Sequence, residues 1–147
     1  MRLKFIILVA ASIGMSNALR RKCKRNPQNQ GEGWYFTTGI DTVQKVADDF
    51  CMKPEVVRHW NNINPKDDLR PGVNIKVRCT ERKRDCLKNP SGNGAYIVAS
   101  GDEYKYIAPD FCTSVDKLKE LNPKVPHPDT IQPGLLLWVP CPFNDVP

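Results

Sequence analysis

Apolar residues recur at helical spacing in two stretches of this 147-residue chain. In each stretch four of them fall at positions i, i+3, i+4 and i+7, which places them on one face of a helix. The two sets are Val43, Val46, Ala47 and Phe50, and then Tyr104, Ile107, Ala108 and Phe111. The pattern predicts two amphipathic helices, each with one buried face.

A second, shorter helix is predicted after each of these. One begins near Pro54, because proline suits the first helical position, and the other near Ser114, a good N-cap. We expect the first of these helices to bury Val57 and Trp60 and the second to bury Leu118 and Leu121.

Strands are predicted on either side of each helix pair. Residues 34–38 and 95–99 are the predicted first strands, and a Pro-Gly turn leads into each second strand. The second strands alternate apolar with other residues: Val73, Ile75 and Val77, and Leu135, Leu137 and Val139. The element order is therefore strand, helix, helix, strand in both stretches, and the fold class is α+β.

The two stretches also share residue identities. Residues 33–65 align with residues 94–126 without a gap, and after one added residue Pro71-Gly72 matches Pro133-Gly134. The identical pairs in the ungapped part are Gly33/Gly94, Tyr35/Tyr96, Asp41/Asp102, Ala47/Ala108, Asp49/Asp110, Phe50/Phe111, Cys51/Cys112, Asn61/Asn122 and Pro65/Pro126. We interpret the chain as two tandem copies of one small β-α-α-β module.

The start of the chain is interpreted as a targeting segment. Arg2 and Lys4 precede the apolar run 5–13, and Ser16 and Ala18 are small residues at the positions that a signal peptidase reads. We predict a signal peptide over residues 1–18 and a secreted, extracellular protein without a transmembrane segment, because the run is too short to span a bilayer. The remaining predicted parts are an N-terminal basic segment (19–32), module 1 (33–79), a linker (80–93), module 2 (94–141) and a C-terminal tail (142–147).

Six cysteines follow the predicted cleavage site: Cys23, Cys51, Cys79, Cys86, Cys112 and Cys141. An even number in a secreted chain favours disulfides. There is no Cys-x-x-Cys pair, and His59 and His127 have no cysteine at metal-ligand spacing, so no metal or other cofactor is expected. Three cysteines per copy is an odd number, so at least one bond must join the copies if all six pair. The pairing itself stays open.

Basic residues form two runs, 20–25 and 82–84, in a chain of formal net charge +6. We interpret them as solvated linkers, and the alternative is a basic patch for an anionic polysaccharide or a membrane surface. The aromatic pattern of a nucleic-acid-binding module is absent, so no nucleic-acid partner is expected. The pair Asp48-Asp49 is expected on a solvated helix face.

The motif residues of the second copy, at its turns and helices, resemble those of a LysM module. They are Tyr96-x-Val98-x-Ser100-Gly101-Asp102, Ile107-Ala108, Leu118, Leu121-Asn122-Pro123 and Ile131-Gln132-Pro133-Gly134. The first copy is similar but looser, at Tyr35, Asp41-Thr42, Val46-Ala47, Trp60-Asn61 and Leu69-Arg70-Pro71-Gly72. With its signal peptide and Phe-Cys pairs, the whole chain resembles a secreted fungal LysM effector.

This resemblance implies a shallow sugar-binding groove between two loops of each module. The implied groove residues are Gly39, Ile40, Asp41, Thr42, Asp68 and Leu69 in module 1, and Gly101, Asp102, Glu103, Tyr104, Asp129, Thr130 and Ile131 in module 2. Whether Asp41 and Asp102 shape the turns or touch the ligand stays open. Gly39 comes one place early relative to Gly101, so Ile40 is expected to take the backbone conformation that Gly101 adopts freely. Glu103 stands where the family usually has threonine.

The function that the resemblance implies is non-catalytic binding of chitin and chito-oligosaccharides, with no catalytic residues. Its expected role is to capture chitin fragments before a host detects them or to coat the cell wall, and a ligand-induced dimer is left open. An enzyme is disfavoured because the chain has no room for a catalytic domain. Trp138 falls on the outward side of its strand, where core-edge packing, an interface or an aromatic sugar platform would each explain it, and we favour the first two.

Overall fold

The structure, a computed structural model, describes residues 16–17, 20–88, 93–125 and 130–143. Its strands are β1 (Ser16–Asn17), β2 (Lys24–Arg25), β3 (Glu32–Phe36), β4 (Asn74–Arg78), β5 (Leu87–Lys88), β6 (Asn93–Ile97) and β7 (Leu136–Pro140). Its helices are α1 (Val43–Asp49), α2 (Pro54–Asn61), α3 (Tyr104–Asp110) and α4 (Val115–Leu121). The protein is thus a small mixed α and β fold.

Two antiparallel sheets organise the chain, one in the order β2-β3-β4 and the other in the order β1-β5-β6-β7. Helices α1 and α2 pack with the first sheet, and α3 and α4 with the second. We call the first sheet with its helices the first unit, and β5 to β7 with α3 and α4 the second unit. Each has its own core, built on Tyr35, Val46, Phe50, Val57 and Val77 or on Tyr96, Ile107, Phe111, Leu118 and Val139.

The helix predictions are confirmed. Both apolar stripes are buried, α2 begins with Pro54, and the Ser114 hydroxyl accepts from the Lys117 N–H at 3.2 Å as the cap of α4. Two predicted buried positions differ: Trp60 in α2 is only half-buried, and Leu121 is exposed at the end of α4, where the next residue, Asn122, is buried instead.

The first strand of each unit begins two residues earlier than predicted, and the second strand begins one residue later. Strands β3 and β6 begin at Glu32 and Asn93 because the far ends of their partner strands, Arg78 and Pro140, pair with these residues. Val73, predicted as the first residue of the next strand, is exposed because it belongs to the turn that precedes β4. The predicted N-terminal segment and linker also contain short strands, β2 and β5.

An asparagine at the end of α2 and just after α4 explains one repeated identity. The Asn61 amide donates to the Lys76 carbonyl at 2.9 Å and accepts from the Lys76 N–H at 2.6 Å, which ties the helix to β4. Asn122 makes the same pair of bonds with Trp138 in β7, both at 2.8 Å. These bonds satisfy polar groups that packing takes out of water.

Three disulfides link the chain: Cys23–Cys79, Cys51–Cys112 and Cys86–Cys141. The first and third each close one unit, and the second joins equivalent positions of the two units. The first and third disulfides explain why a glycine is repeated at positions 33 and 94. A Cβ at Gly33 would lie 2.6 Å from the Cβ of Cys79, and a Cβ at Gly94 would lie 2.3 Å from the Cβ of Cys141.

Beside the disulfide between the units, Arg20 also contacts both of them. Its guanidinium lies 3.3 Å from the Asp49 carboxylate of the first unit and donates to the Asp110 carbonyl of the second. It also lies 3.5 Å from the ring centroid of Phe143. The two units are therefore held together by a covalent bond and by a buried arginine.

Within the described residues there is no helix with the length and apolarity to cross a membrane. The same part of the chain holds no cluster of three metal-ligating side chains. Most of the predicted signal peptide lies outside the described residues, and its cleavage stays a prediction. Strand β1, which pairs with β5, falls inside that segment.

Candidate functional site

An aspartate holds the turn that follows the first long strand of the first unit. The Asp41 N–H donates to the Thr38 carbonyl at 3.3 Å, which closes the turn. In return, the Asp41 carboxylate accepts from the Thr38 N–H and from the Tyr35 hydroxyl, both at 2.7 Å. Such side-chain bonds to the backbone are how aspartate stabilises turns.

The second unit repeats this arrangement at Asp102. Its carboxylate accepts from the Ala99 N–H at 2.9 Å and from the Tyr96 hydroxyl, and its own N–H donates to the Ala99 carbonyl at 3.2 Å. The exposed fraction of the Asp102 side chain is 5%, and that of Asp41 is 0%. Both aspartates therefore shape the turns, and their carboxylates are not available to a ligand.

An arginine completes each aspartate site: Arg21, which is buried, and Arg84, which is partly buried. Arg21 donates to the Asp41 carboxylate at 2.8 Å, and its backbone N–H donates to the Asp49 carboxylate at 2.7 Å. Arg84 likewise donates to the Asp102 carboxylate at 2.9 Å and to the Asp110 carboxylate at 2.7 Å. Each arginine thus connects the turn to the end of the following helix.

These contacts shift the pKa values of the turn residues. Burial acts to raise the pKa of Asp102, but hydrogen bonds from Arg84, Tyr96 and the Ala99 N–H outweigh it, so the pKa lies below its usual range. Burial and the bond to Asp102 raise the pKa of Tyr96 to about 12. Asp41 has a lowered pKa for matching reasons: burial opposes the shift, and bonds from Thr38, Tyr35 and Arg21 favour it.

The solvated position that was predicted for Asp49 is wrong. Asp49 is 0% exposed because it accepts from Arg20, Arg21 and Arg82. The prediction of solvated runs is therefore wrong for four arginines, which are ion-pair partners: Arg20, Arg21, Arg82 and Arg84. The other basic residues of the runs are exposed, as predicted: Lys22, Lys24, Arg25 and Lys83. Buried charges require such partners, since leaving a charge unpaired away from water is costly.

Sequence reasoning missed the arginines as part of the site, although a signal was present. Arg21 and Arg84 each stand two residues before an equivalent cysteine, Cys23 or Cys86. Their acceptors Asp49 and Asp110 were already among the identical pairs of the repeat. A charge repeated at the same distance from a repeated cysteine indicates a structural ion pair.

In the first unit, the loop that precedes β4 lies against the turn. The Asp68 carboxylate accepts from the Val43 N–H at 2.6 Å and so binds the first turn of α1. Thr42 caps the same helix, since its hydroxyl accepts from the Lys45 N–H at 3.2 Å. Leu69 is half-buried against the core, whereas Ile40 is 39% exposed. The structure therefore brings the two predicted groove loops of this unit together.

In the second unit, the predicted groove residues divide into buried and accessible ones. Tyr104 and Ile131 belong to the same core cluster, so their side chains are buried and do not face solvent. Thr130 is exposed, and the Glu103 carboxylate forms an exposed ion pair with Lys105 at 2.7 Å. Asp129 lies outside the described residues.

Equivalent backbone donors are unpaired in both turns. In the described part of the chain, the N–H groups of Ile40 and Gly101 donate to no protein acceptor, and both residues are exposed. Each follows an exposed residue, Gly39 or Ser100, and comes directly before the buried aspartate. An exposed N–H group of this kind can donate to a carbonyl oxygen of a neutral ligand.

One backbone expectation was wrong. Gly101 has a φ of +83°, in the left-handed region, but neither Gly39 nor Ile40 has a positive φ. The first turn therefore reaches the same Asp-centred geometry without left-handed backbone, and Ile40 is not strained. The displaced glycine has no conformational cost.

Comparison with known proteins gives matches over most of the chain. The sequence model of the LysM domain family matches residues 96–140. The secreted LysM effector Vd2LysM of Verticillium dahliae is 39% identical over 148 residues, which cover 98% of this chain and 100% of that protein. These matches agree with the resemblance seen in the second copy.

Two solved structures show weaker likeness. The spore cortex-lytic enzyme SleL of Bacillus cereus aligns with 76% of this chain and 23% of its own, at 20% identity and a TM-score of 0.33. The ectodomain of a receptor like kinase aligns with 84% of this chain and 67% of its own, at 19% identity and a TM-score of 0.29. TM-scores this low carry no conclusion about function.

Proposed function

Because the chain belongs to the LysM family, we propose that it is a secreted, non-catalytic protein that binds chitin and N-acetylglucosamine oligomers. The observation that supports this most directly is the Asp-fixed turn, which holds an unpaired N–H group at an exposed position in both units. The proposed grooves lie between these turns and the loops that precede β4 and β7.

We further propose that residues 33–79 form a LysM-like module of their own, in tandem with residues 94–141. The family match covers only the second of these ranges. Support for the first comes from its equal element order and from its equivalent Tyr-Asp-Arg contacts at Tyr35, Asp41 and Arg21.

The chemistry of the turns suits an uncharged sugar. N-acetylglucosamine presents an amide, hydroxyls and a methyl group, and rigid backbone donors can pair with its acetamide oxygen. An exposed apolar side chain such as Ile40 can pack on the methyl group. Each neutral hydrogen bond contributes only about 0.5–1.5 kcal/mol, so a single shallow groove binds weakly. Two grooves on one chain raise the effective concentration for a long polymer.

The ion pairs support a neutral ligand over an anionic one. An anionic polysaccharide or membrane surface would need free cationic side chains, but Arg20, Arg21, Arg82 and Arg84 all pair with aspartates. The basic runs therefore offer less positive potential than their sequence suggests.

The biological role that fits this binding is that of an effector. The chain would hold chitin fragments away from host receptors or cover chitin in the wall of the organism that secretes it. The Verticillium dahliae relative is a secreted LysM effector, and the proposal extends the effector role to this chain. A ligand-induced dimer would be one way to hold longer fragments.

Calorimetric titration of the oxidised protein with N-acetylglucosamine oligomers tests the proposal. We expect affinity that rises with oligomer length and changes less than twofold between low and high salt, because screening acts on charges and not on neutral hydrogen bonds. The absence of heat at every length would reject chitin as the ligand. In a parallel titration, binding of an anionic polysaccharide that disappears at high salt would support the anionic partner instead. Release of shorter sugars would reject the non-catalytic assignment.

A further inference from the structure

The outer face of the second sheet carries a patch of large apolar side chains. Ile97, Leu136 and Trp138 are 54%, 44% and 43% exposed. Ile97 pairs with Leu136 across the strands, and Trp138 pairs with Ala95, so all these residues lie on one face. The three side chains therefore form one continuous apolar surface, which we call the outer patch.

The equivalent face of the first sheet also exposes aromatic side chains, Trp34 at 38% and Phe36 at 60%, but there they stand among charged residues. There Trp34 pairs with Lys24 and Lys76, and Glu32 pairs with Arg78. Lys76 occupies the position of Trp138, and its ammonium group lies 2.8 Å from the Glu32 carboxylate. On the second sheet, by contrast, the described residues of β6 and β7 on this face are all uncharged: Asn93, Ala95, Ile97, Leu136, Trp138 and Pro140. The two units share a fold but differ at this surface.

The position of the outer patch connects it to the proposed groove. Ile97 ends β6 two residues before the turn of Ala99 to Asp102, and Leu136 begins β7 directly after the loop that precedes it. The patch thus starts at the edge of the groove and continues along the sheet to Trp138. A ligand larger than the groove would reach it.

We propose that the outer patch is a second contact surface for chitin, one that binds the flat face of the insoluble polymer. The inference rests on the proposed function. A neutral polymer suits a face without charges, because docking would bury no unpaired ion. The C–H faces of pyranose rings in a packed polymer are flat and apolar, and an exposed indole ring offers large, rigid contact area at small entropic cost. Short soluble oligomers would occupy the groove alone.

The test exchanges the outer patch for the residues of the first unit. Leu136→Asn with Trp138→Lys places the side chains of Asn74 and Lys76 on the second sheet. We expect affinity for insoluble chitin, measured by depletion from solution, to fall about tenfold, the usual scale for losing one aromatic anchor. Affinity for a short oligomer, measured by calorimetry, should stay within about twofold. Phe36→Asn, on the outer face of the first sheet, is the matched control and should change neither.

Each alternative outcome is distinct. If the double variant keeps its three disulfides and its unfolding temperature but binds insoluble chitin like the native protein, the proposal is wrong. If the native protein sediments as a dimer and the double variant sediments as a monomer, the patch is an interface between copies and the proposal is also wrong. If oligomers fail to bind the native protein while insoluble chitin binds through the patch, the groove function fails and this inference stands. If the native protein binds neither the oligomers nor insoluble chitin, both the proposed groove function and this inference are wrong.

Discussion

At the scale of single residues, the most informative contact is the one between a turn aspartate and its arginine. Asp41 and Asp102 occupy equivalent turns, and both carboxylates are buried there as hydrogen-bond acceptors. Their partners Arg21 and Arg84 could not be recognised from local patterns, because the arginine stands 20 and 18 residues away from its aspartate. Arg84 should therefore act as a positioning residue for the turn that presents Gly101.

Replacing Arg84 by glutamine should lower the free energy of unfolding by about 3 kcal/mol, because it leaves two largely buried carboxylates without their cation. Arg25→Gln is the control, since the exposed Arg25–Glu81 pair should contribute no more than about 0.5 kcal/mol. Urea unfolding with the disulfides intact measures both. Equal midpoints for the two variants would show that the buried cluster does not stabilise the turn.

Stability should also depend on acid through the same aspartates. The folded-state pKa values of Asp41 and Asp102 are lowered, so the unfolded chain binds protons that the folded chain does not. Their contribution is therefore fully present above about pH 4, the usual value of an unfolded aspartate, and is lost as the pH falls further. Asp102→Asn should flatten this part of the curve of unfolding free energy against pH, whereas Glu81→Gln should leave it unchanged. An unaltered slope in Asp102→Asn would contradict the assignment.

At the scale of elements, the apolar periodicity predicted helices better than strands. The stripes at 43–50 and 104–111 and the starts of α2 and α4 are found as predicted, because these signals are local. Strand limits depend on which residues the partner strand reaches, and β3 and β6 lie two residues earlier for that reason. The two groove turns look alike in sequence, yet only one of them needs a left-handed glycine.

Alanine substitution of the two turn glycines should separate these cases. Gly101→Ala should lower the free energy of unfolding by about 1 kcal/mol, because a φ of +83° is unfavourable for any residue with a Cβ. Gly39→Ala should be neutral or slightly stabilising, since Gly39 does not have a positive φ. No heavy atom lies within 4 Å of the added Cβ at either position, so only the backbone differs. Thermal unfolding of the pair measures the contrast, and equal losses would refute it.

At the scale of the whole molecule, the two units are joined by the Cys51–Cys112 disulfide and by the buried side chain of Arg20. Counting cysteines predicted that a bond must join the copies, but only the tertiary structure pairs Cys51 with Cys112. Sequence could not supply the pairing, since it depends on how two separately folded cores meet. The same interface places Arg20 against both units, close to the predicted cleavage site.

Replacing Cys51 and Cys112 together by serine should lower the free energy of unfolding by about 2–4 kcal/mol. Each unit keeps its own disulfide, so short oligomers should bind as before. Long oligomers should bind more weakly, because the two grooves are no longer held in one fixed relation. Calorimetry with a short and a long oligomer distinguishes the two effects, and an unchanged affinity for the long one would show that the units bind independently.

Residue-level mapping of the sugar contact tests the proposed grooves most directly. Amide nitrogen–proton spectra of the oxidised protein would be recorded during titration with an N-acetylglucosamine oligomer. We predict that the largest shifts fall on the turns at residues 39–42 and 101–104 and on the loops at residues 68–69 and 129–131. Shifts confined to the basic runs at residues 20–25 and 82–84, or no shifts at saturating sugar, would contradict the proposed grooves.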